Sequence, residues 1–204
     1  AYAQREADPA AQREVLDNIR AQLDETIRQT NQMLSLARAD SAPPQRQAFD
    51  AVALAEALVR QWWGPAREQG VDLGLDAPDG PVPLQGEPDL LREALANLLH
   101  NAIRHGGAGA HVTLVVRGEA DGAVQLAVVD NGPGLPPEEL ARAGERFFRG
   151  GGGALPGSGL GLAIVRTVAQ RHGGQMQVAP GSEGRGLAVT LTLPAPPTSE
   201  AVSG

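Results

Sequence analysis

The 204-residue sequence contains no cysteine. Disulfides and thiolate metal sites are therefore excluded, which fits a cytoplasmic protein. Lysine is absent too, since all 17 basic residues are arginines. That composition is consistent with GC-rich coding, and it leaves arginine, backbone or metal as the phosphate clamps available. Aromatic residues are scarce at 3% against 42% hydrophobic residues, so a globular core must be built from Leu, Val, Ala and Ile. No apolar run approaches the roughly 18–20 residues that span a bilayer, and the N-terminus lacks a signal-peptide pattern. Any membrane anchor is expected only in a missing N-terminal part. The net charge is −7 and no basic stripe is visible, which argues against nucleic acid as a partner.

Asp8-Pro9 marks a helix start. From there to about Asp40, Leu16, Ile19, Leu23, Thr26, Thr30, Met33 and Ala37 fall on a seven-residue repeat widened by Ile27 and Leu34. The spacing predicts one long amphipathic helix that needs a partner helix or a second subunit. Pro43-Pro44 ends it, and the domain boundary is placed there. Beyond it, Asp50 is expected to cap a helix to about Gln69, and Glu87–His105 to form a strongly amphipathic helix. Short strands are expected at Val71–Asp76, Val82–Gln85, His111–Arg117 and Ala123–Asp130, with Asp121-Gly122 as the turn between the last two. A glycine-rich loop follows over 131–157, then a helix over Gly159–His172 and a hairpin of Gln175–Ala179 with Leu187–Leu193. This order lacks regular βαβ alternation and favours an α+β sandwich, with helices on one face of a mixed sheet.

The chemistry concentrates in four segments. In NLLHNAIRH, Asn97 and Asn101 stand one helical turn apart and share a face. An amide oxygen suits Mg²⁺, which takes hard oxygen ligands and borrows others from water and phosphate; Asn101 is the candidate metal ligand. Alone, such a pair would be read as satisfying helix contacts. In DNGPGLP, Asp130 ends a strand where a carboxylate can accept a hydrogen bond from an exocyclic amine, selecting adenine over guanine. Gly132 and Gly134 let a base lie against backbone. In GSGLGLAIV, Gly157, Ser158, Gly159 and Gly161 open directly into a helix whose free N–H groups and dipole suit phosphate. Leu160, Leu162, Ile164 and Val165 anchor that helix to the core. The run does not follow a strand and has no lysine, so neither the dinucleotide fingerprint nor the P-loop fits. Between the glycine segments, Phe147 and Phe148 of RFFR are expected to dock a mobile lid on the core, leaving Arg149 to reach the terminal phosphate.

Other residues read more plainly. Trp62 and Trp63 are expected to pack at the domain junction. His100, His111 and His172 are expected to be superficial or interfacial. His105 suits either a phosphate or the negative end of its own helix.

In this order, NLLHNAIRH, DNGPGLP, RFFR and GSGLGLAIV resemble the N box, first glycine box, F box and second glycine box of bacterial two-component sensor histidine kinases. The resemblance covers roughly residues 45–195 as the catalytic ATP-binding domain. It implies a Bergerat-type two-layer α/β sandwich preceded by a long helix of a helical hairpin. Residues 1–42 look like the end of the first helix, the turn and the second helix of the dimerisation and phosphotransfer hairpin, and 196–204 like a disordered tail. By resemblance, Asn101 holds Mg²⁺ and Asn97, Arg104 and His105 meet the phosphates of ATP. Asp130 takes the adenine amine, while Phe148, Arg149 and residues 157–162 form the lid and phosphate cradle; Asn97 and Arg149 are the catalytic candidates. It further implies a homodimer through helix 9–40 and a cognate response regulator. The chain would be the cytoplasmic portion of an inner-membrane sensor.

Two departures stand out. Leu187 replaces the threonine that such kinases carry near the last hairpin, leaving Thr190 as the substitute. No histidine precedes residue 100, so the phosphoacceptor is missing and the chain is expected to begin just after it. Two other readings remain: a simple ATPase of the same fold, and a non-catalytic nucleotide-binding dimerisation module. ATPases of this fold place a glutamate one turn before the metal asparagine. Here that place holds Asn97, a poor general base, and Glu93 lies a further turn away.

Overall fold

A computed structural model of the chain describes residues 43–148, 159–181 and 184–195, with positions 15, 16, 19, 23, 26, 27, 30 and 33 of the N-terminal segment. All eight of those positions are helical, as the heptad spacing requires. The ends of that helix and the expected tail lie outside the described residues.

The portion described from residue 43 onward opens with a short strand that the sequence pattern did not reveal, β1 (Gln47–Asp50). It pairs antiparallel with β3 (Pro83–Gly86) in a two-stranded sheet of its own. Asp50 then caps α1 (Ala51–Glu68), as expected, its carboxylate accepting the N–H of Val52 at 3.0 Å and of Val82 at 2.9 Å. One side chain therefore starts a helix and ties it to Val82, the residue just before β3.

The main sheet is five-stranded and mixed, in the order β2-β4-β5-β7-β6. β2 (Asp72–Asp76) runs parallel to β4 (His111–Gly118), and every other neighbour is antiparallel: β5 (Val124–Asp130), β6 (Gln175–Pro180) and β7 (Leu187–Leu193). The β4–β5 turn forms as predicted, with Gly122 at φ 82° and the Asp121 carboxylate accepting the N–H of Ala123. Alternation sends Val112, Leu114 and Val116 of β4, Leu126 and Val128 of β5, and Val189, Leu191 and Leu193 of β7 to one buried face. Covering that face are α1, α2 (Pro88–Gly106) and α4 (Gly161–Arg171). From α2 come Leu91, Ala94, Leu95, Leu98 and Leu99, all fully or nearly buried. The result is the expected α+β two-layer sandwich. Among the described residues of the loop after β5 is a short helix, α3 (Pro137–Leu140), where only loop was expected.

Packing corrects two of these side-chain expectations, for Trp63 and His172. Trp62 packs edge-on against His100, with ring centroids 6.1 Å apart, but Trp63 is 53% exposed and carries the Arg67 guanidinium 5.3 Å above its ring. His111 is at the surface as expected, beside Asp72. His172 is not, being only 3% exposed. Its Nε2 accepts the Glu87 N–H at 2.9 Å, and its Nδ1–H donates to the Val168 carbonyl at 2.7 Å. Gly86 makes room for the ring, because a Cβ there would lie 2.7 Å from the imidazole.

These bonds fix a neutral tautomer, and burial holds the His172 pKa below its ordinary range against the pull of the Val168 bond and Glu87. The fold thus favours the uncharged form. Its contribution to stability is complete above the unfolded pKa of about 6.5 and is lost as pH falls from there through the lowered folded value. Thermal melts between pH 7.5 and 5 should show a loss of Tm that the less stable His172→Gln variant, which cannot take the proton, does not share. Parallel losses in both proteins would contradict the assignment.

Candidate nucleotide-binding site

Three backbone segments meet at the end of β5, and their approach depends on missing Cβ atoms. A Cβ on Gly132 would lie 3.0 Å from both the Asp130 Oδ1 and the Gly106 Cα at the end of α2. On Gly134, at φ 70°, it would stand 2.5 Å from the Gly186 carbonyl, and on Gly186 itself it would collide with the Asp130 carbonyl. The glycines of DNGPG therefore serve first to dock this turn against α2 and the start of β7, a role beyond the ligand contact expected of Gly132 and Gly134. Gly186 was missed in the sequence, because GSEGRG reads as an ordinary turn.

Within this junction Asp130 is half-buried. Its Oδ1 accepts the N–H of Gly132 at 2.9 Å and of Leu187 at 3.3 Å. Among the described residues Oδ2 takes no hydrogen bond, so one oxygen is fixed by the fold and the other is available to a ligand. Burial pushes the Asp130 pKa up, while the two N–H bonds and nearby His105 pull it down. The Leu187 departure is also resolved here. Val129 pairs with Ala188, which puts Leu187 opposite Asp130 and Thr190 opposite Ala127, on the other face of β7. Thr190 cannot substitute for the missing threonine; what position 187 offers is its backbone N–H.

The C-terminal half of α2 supplies the rest. Asn97 is buried at 6% exposure, while Asn101, Arg104 and His105 are half-buried. The amide of Asn101 sits at the very start of α4: a Cβ on Gly161 would lie 3.2 Å from its Nδ2. Asn101 makes no hydrogen bond among the described residues. Leu160 is 2% exposed and Ile164 and Val165 at most 1%, with Leu162 packed on the same core, so the helix is anchored as expected. Leu160 occupies the N-cap without a capping side-chain bond, and the N-terminus of a helix suits an anion. Burial, and then the charge of Arg104, hold the His105 pKa below its ordinary range despite Asp130. At neutral pH the positive charge at this end of α2 is therefore Arg104.

The donor set fits a nucleotide with a magnesium ion. No group of three His, Cys, Asp or Glu side chains among the described residues could hold an ion by itself. A single hard amide oxygen beside an anion-receptive helix start suits a metal carried in on phosphates.

The described ends of the glycine-rich loop are pinched together at Phe147 and Gly159. Phe147, at φ 66°, donates its N–H to the Gly159 carbonyl at 3.0 Å, and a Cβ on Gly159 would lie 2.7 Å from the Phe147 carbonyl carbon. The two phenylalanines do not both dock, contrary to expectation. Phe148 is half-buried under the Arg142 guanidinium, 4.6 Å from its ring, whereas Phe147 is 69% exposed. Arg149, Gly157 and Ser158 lie outside the described residues.

Residues 86–197 match the family described as histidine kinase-, DNA gyrase B-, and HSP90-like ATPase. Sensor protein QseC of Salmonella typhi is 36% identical over 180 residues, covering 87% of this chain and 39% of that protein. The chain thus spans about two-fifths of that relative's length. Among solved structures, the mycobacterial sensor histidine kinase MprB superposes with a TM-score of 0.64 at 30% identity, over 72% of this chain and 97% of that one. Full-length ShkA in complex with AMPPNP gives 0.75 at 28% identity, over 90% of this chain and 38% of that one.

Asp130→Asn tests the site directly. The amide oxygen can keep the bonds from Gly132 and Leu187, but the charged acceptor is gone. Adenine-nucleotide affinity measured by calorimetry should fall roughly 10–100-fold, the worth of a hydrogen bond to a charged group. An unchanged affinity would remove Asp130 from the site.

Proposed function

This chain belongs to the histidine kinase-, DNA gyrase B- and HSP90-like ATPase family, and we propose that it is the catalytic part of a sensor histidine kinase, moving the ATP γ-phosphoryl group to a histidine on a dimerisation hairpin. The family alone spans kinases and ATPases. The observation that carries the kinase reading is Asn97, a buried amide one turn before Asn101, where the ATPases carry the carboxylate that activates water. The relative QseC is named a sensor protein and the structural neighbour MprB a sensor histidine kinase, which supports the same reading. Glu93, one turn further back, is engaged in contacts of its own.

On this reading Asp130 holds the adenine amine, and the N–H groups opening α4 receive phosphate. Arg104 balances its charge, with His105 and Asn97 beside it. Asn101 holds Mg²⁺, which when bound offsets phosphate charge as the phosphoryl group moves. Arg149 and residues 157–162 close over the phosphates, by resemblance to the family. With little covalent chemistry for protein groups to perform, the chain contributes positioning and electrostatics. A cognate response regulator consumes the phosphohistidine. On this reading the chain works on the cytoplasmic side of the inner membrane. Among the described residues no helix is long and apolar enough to cross a membrane.

Incubation with γ-labelled ATP, with and without an acceptor hairpin bearing its histidine, tests the reaction. Label should appear on the hairpin, and Asn101→Ala should slow its appearance by roughly 100-fold, as loss of one electrostatic contact in an active site does. Steady phosphate release without any hairpin would favour the ATPase instead.

Dimerisation through helix 9–40 is supported by Val15, Leu16, Ile19, Leu23, Ile27 and Met33, each 48–60% exposed along one helical repeat. Sedimentation should report a dimer that Leu16→Gln with Leu23→Gln converts to monomer. A wild-type monomer at all concentrations would refute this.

A further inference from the structure

Glu87 stands at the N-cap of α2 but does not cap it. Its carboxylate instead reaches the last residue of α4, accepting Arg171 Nε at 2.5 Å and Nη2 at 3.0 Å. The side chains of Arg171 and Glu87 are only 9% and 14% exposed. The Arg171 bond holds the Glu87 carboxyl below its usual range, against the opposing effect of burial. Around this pair gathers the segment by which the chain enters the domain. Gln45 donates its N–H to Glu87 Oε1 at 3.2 Å, and Arg46 Nη2 donates to the Arg171 carbonyl at 3.1 Å. β1 begins at the next residue, with Gln47 paired to Gly86.

We propose that Glu87 and Arg171 are positioning residues for phosphoryl transfer, anchoring the entry segment Gln45–Arg46 to the end of the catalytic domain remote from the nucleotide. This rests on the kinase function proposed above. The helices explain why the anchor matters to the reaction. α2 starts at Glu87 and ends beside Asp130 with Asn101, Arg104 and His105; α4 starts against Asn101 and ends at Arg171. Two packed helices therefore join the same two points in opposite directions, α4 being about 16 Å long at 1.5 Å per residue. The entry segment and the phosphate cradle then move as one body. A surface Lys or Arg near a helix C-terminus needs no more explanation than the helix dipole. A buried, two-bond pair that also receives two contacts from a distant segment is different. Buried pairs add little net stability over apolar packing, but losing one partner strands the other charge, which ties the two ends to one geometry.

The test uses Glu87→Gln, Arg171→Lys and the milder Arg46→Ala, which leaves the buried pair intact. Hydrogen exchange of amides 45–50 should rise at least tenfold in the first two and less in the third, with α2 core amides protected as in the wild type. ATP affinity should stay within threefold. Transfer to a hairpin joined ahead of residue 43 should fall at least tenfold, and transfer to a hairpin supplied free should not change. Unchanged exchange at 45–50, or equal losses of transfer in the joined and free formats, would overturn the proposal. If the first two variants do not fold, Arg46→Ala decides by the same exchange and transfer readouts. A wild type that binds no ATP would defeat the kinase function but leave the exchange readout to judge the anchor.

Discussion

Everything at the nucleotide end depends on holding one carboxylate among three backbones. Asp130 closes β5 where the end of α2 and the start of β7 converge, and that approach is possible because Gly132, Gly134 and Gly186 carry no Cβ. Two N–H groups fasten Oδ1, so the orientation of Oδ2 is set before any ligand arrives. Half-burying a carboxylate is costly, and its raised pKa records that cost. An amine donor repays it. On the proposed reading, a carbonyl oxygen at the same place would meet that negative charge, so a choice of adenine over guanine would rest on repulsion as well as attraction.

The phosphate end uses a different economy of charge. In a lysine-free chain, flexible ammonium groups are unavailable, and burial keeps His105 largely uncharged at neutral pH. What remains at the described site is Arg104, the amides of Asn97 and Asn101, and the open N-terminus of α4. On the proposed reading, phosphate binding at this site does not call on a protonated His105.

Much of this was legible in the residues before any coordinates. The amide pair, the two glycine segments and the helix opened by GSGLGLAIV are local patterns, and local spacing is what a sequence displays directly. Relations set by strand pairing were not legible. Thr190 looked like a substitute for a missing threonine because distance along the chain says nothing about which face of β7 a residue occupies. β1 escaped notice for a related reason: QAFD is four residues long and is a strand only because Leu84 and its neighbours lie alongside. His172 and Arg171 were similarly opaque, since their partner Glu87 is 85 and 84 residues away.

The buried Asn97 sharpens the difference between a kinase and an ATPase of one fold. Both need the metal ligand one turn later and the same cradle for phosphate. A carboxylate at position 97 would take a proton from water and make hydrolysis the easy outcome; an amide cannot. On the proposed kinase reading, bound ATP then awaits the histidine of the hairpin as its nucleophile. The chain must then control where that nucleophile stands, and the only covalent route from the helix over 15–33 to the site passes through Gln45 and Arg46. A site that has given up its own general base depends on the geometry of that junction. This is why a buried ion pair far from the phosphates belongs to the same chemical problem as the asparagines beside them.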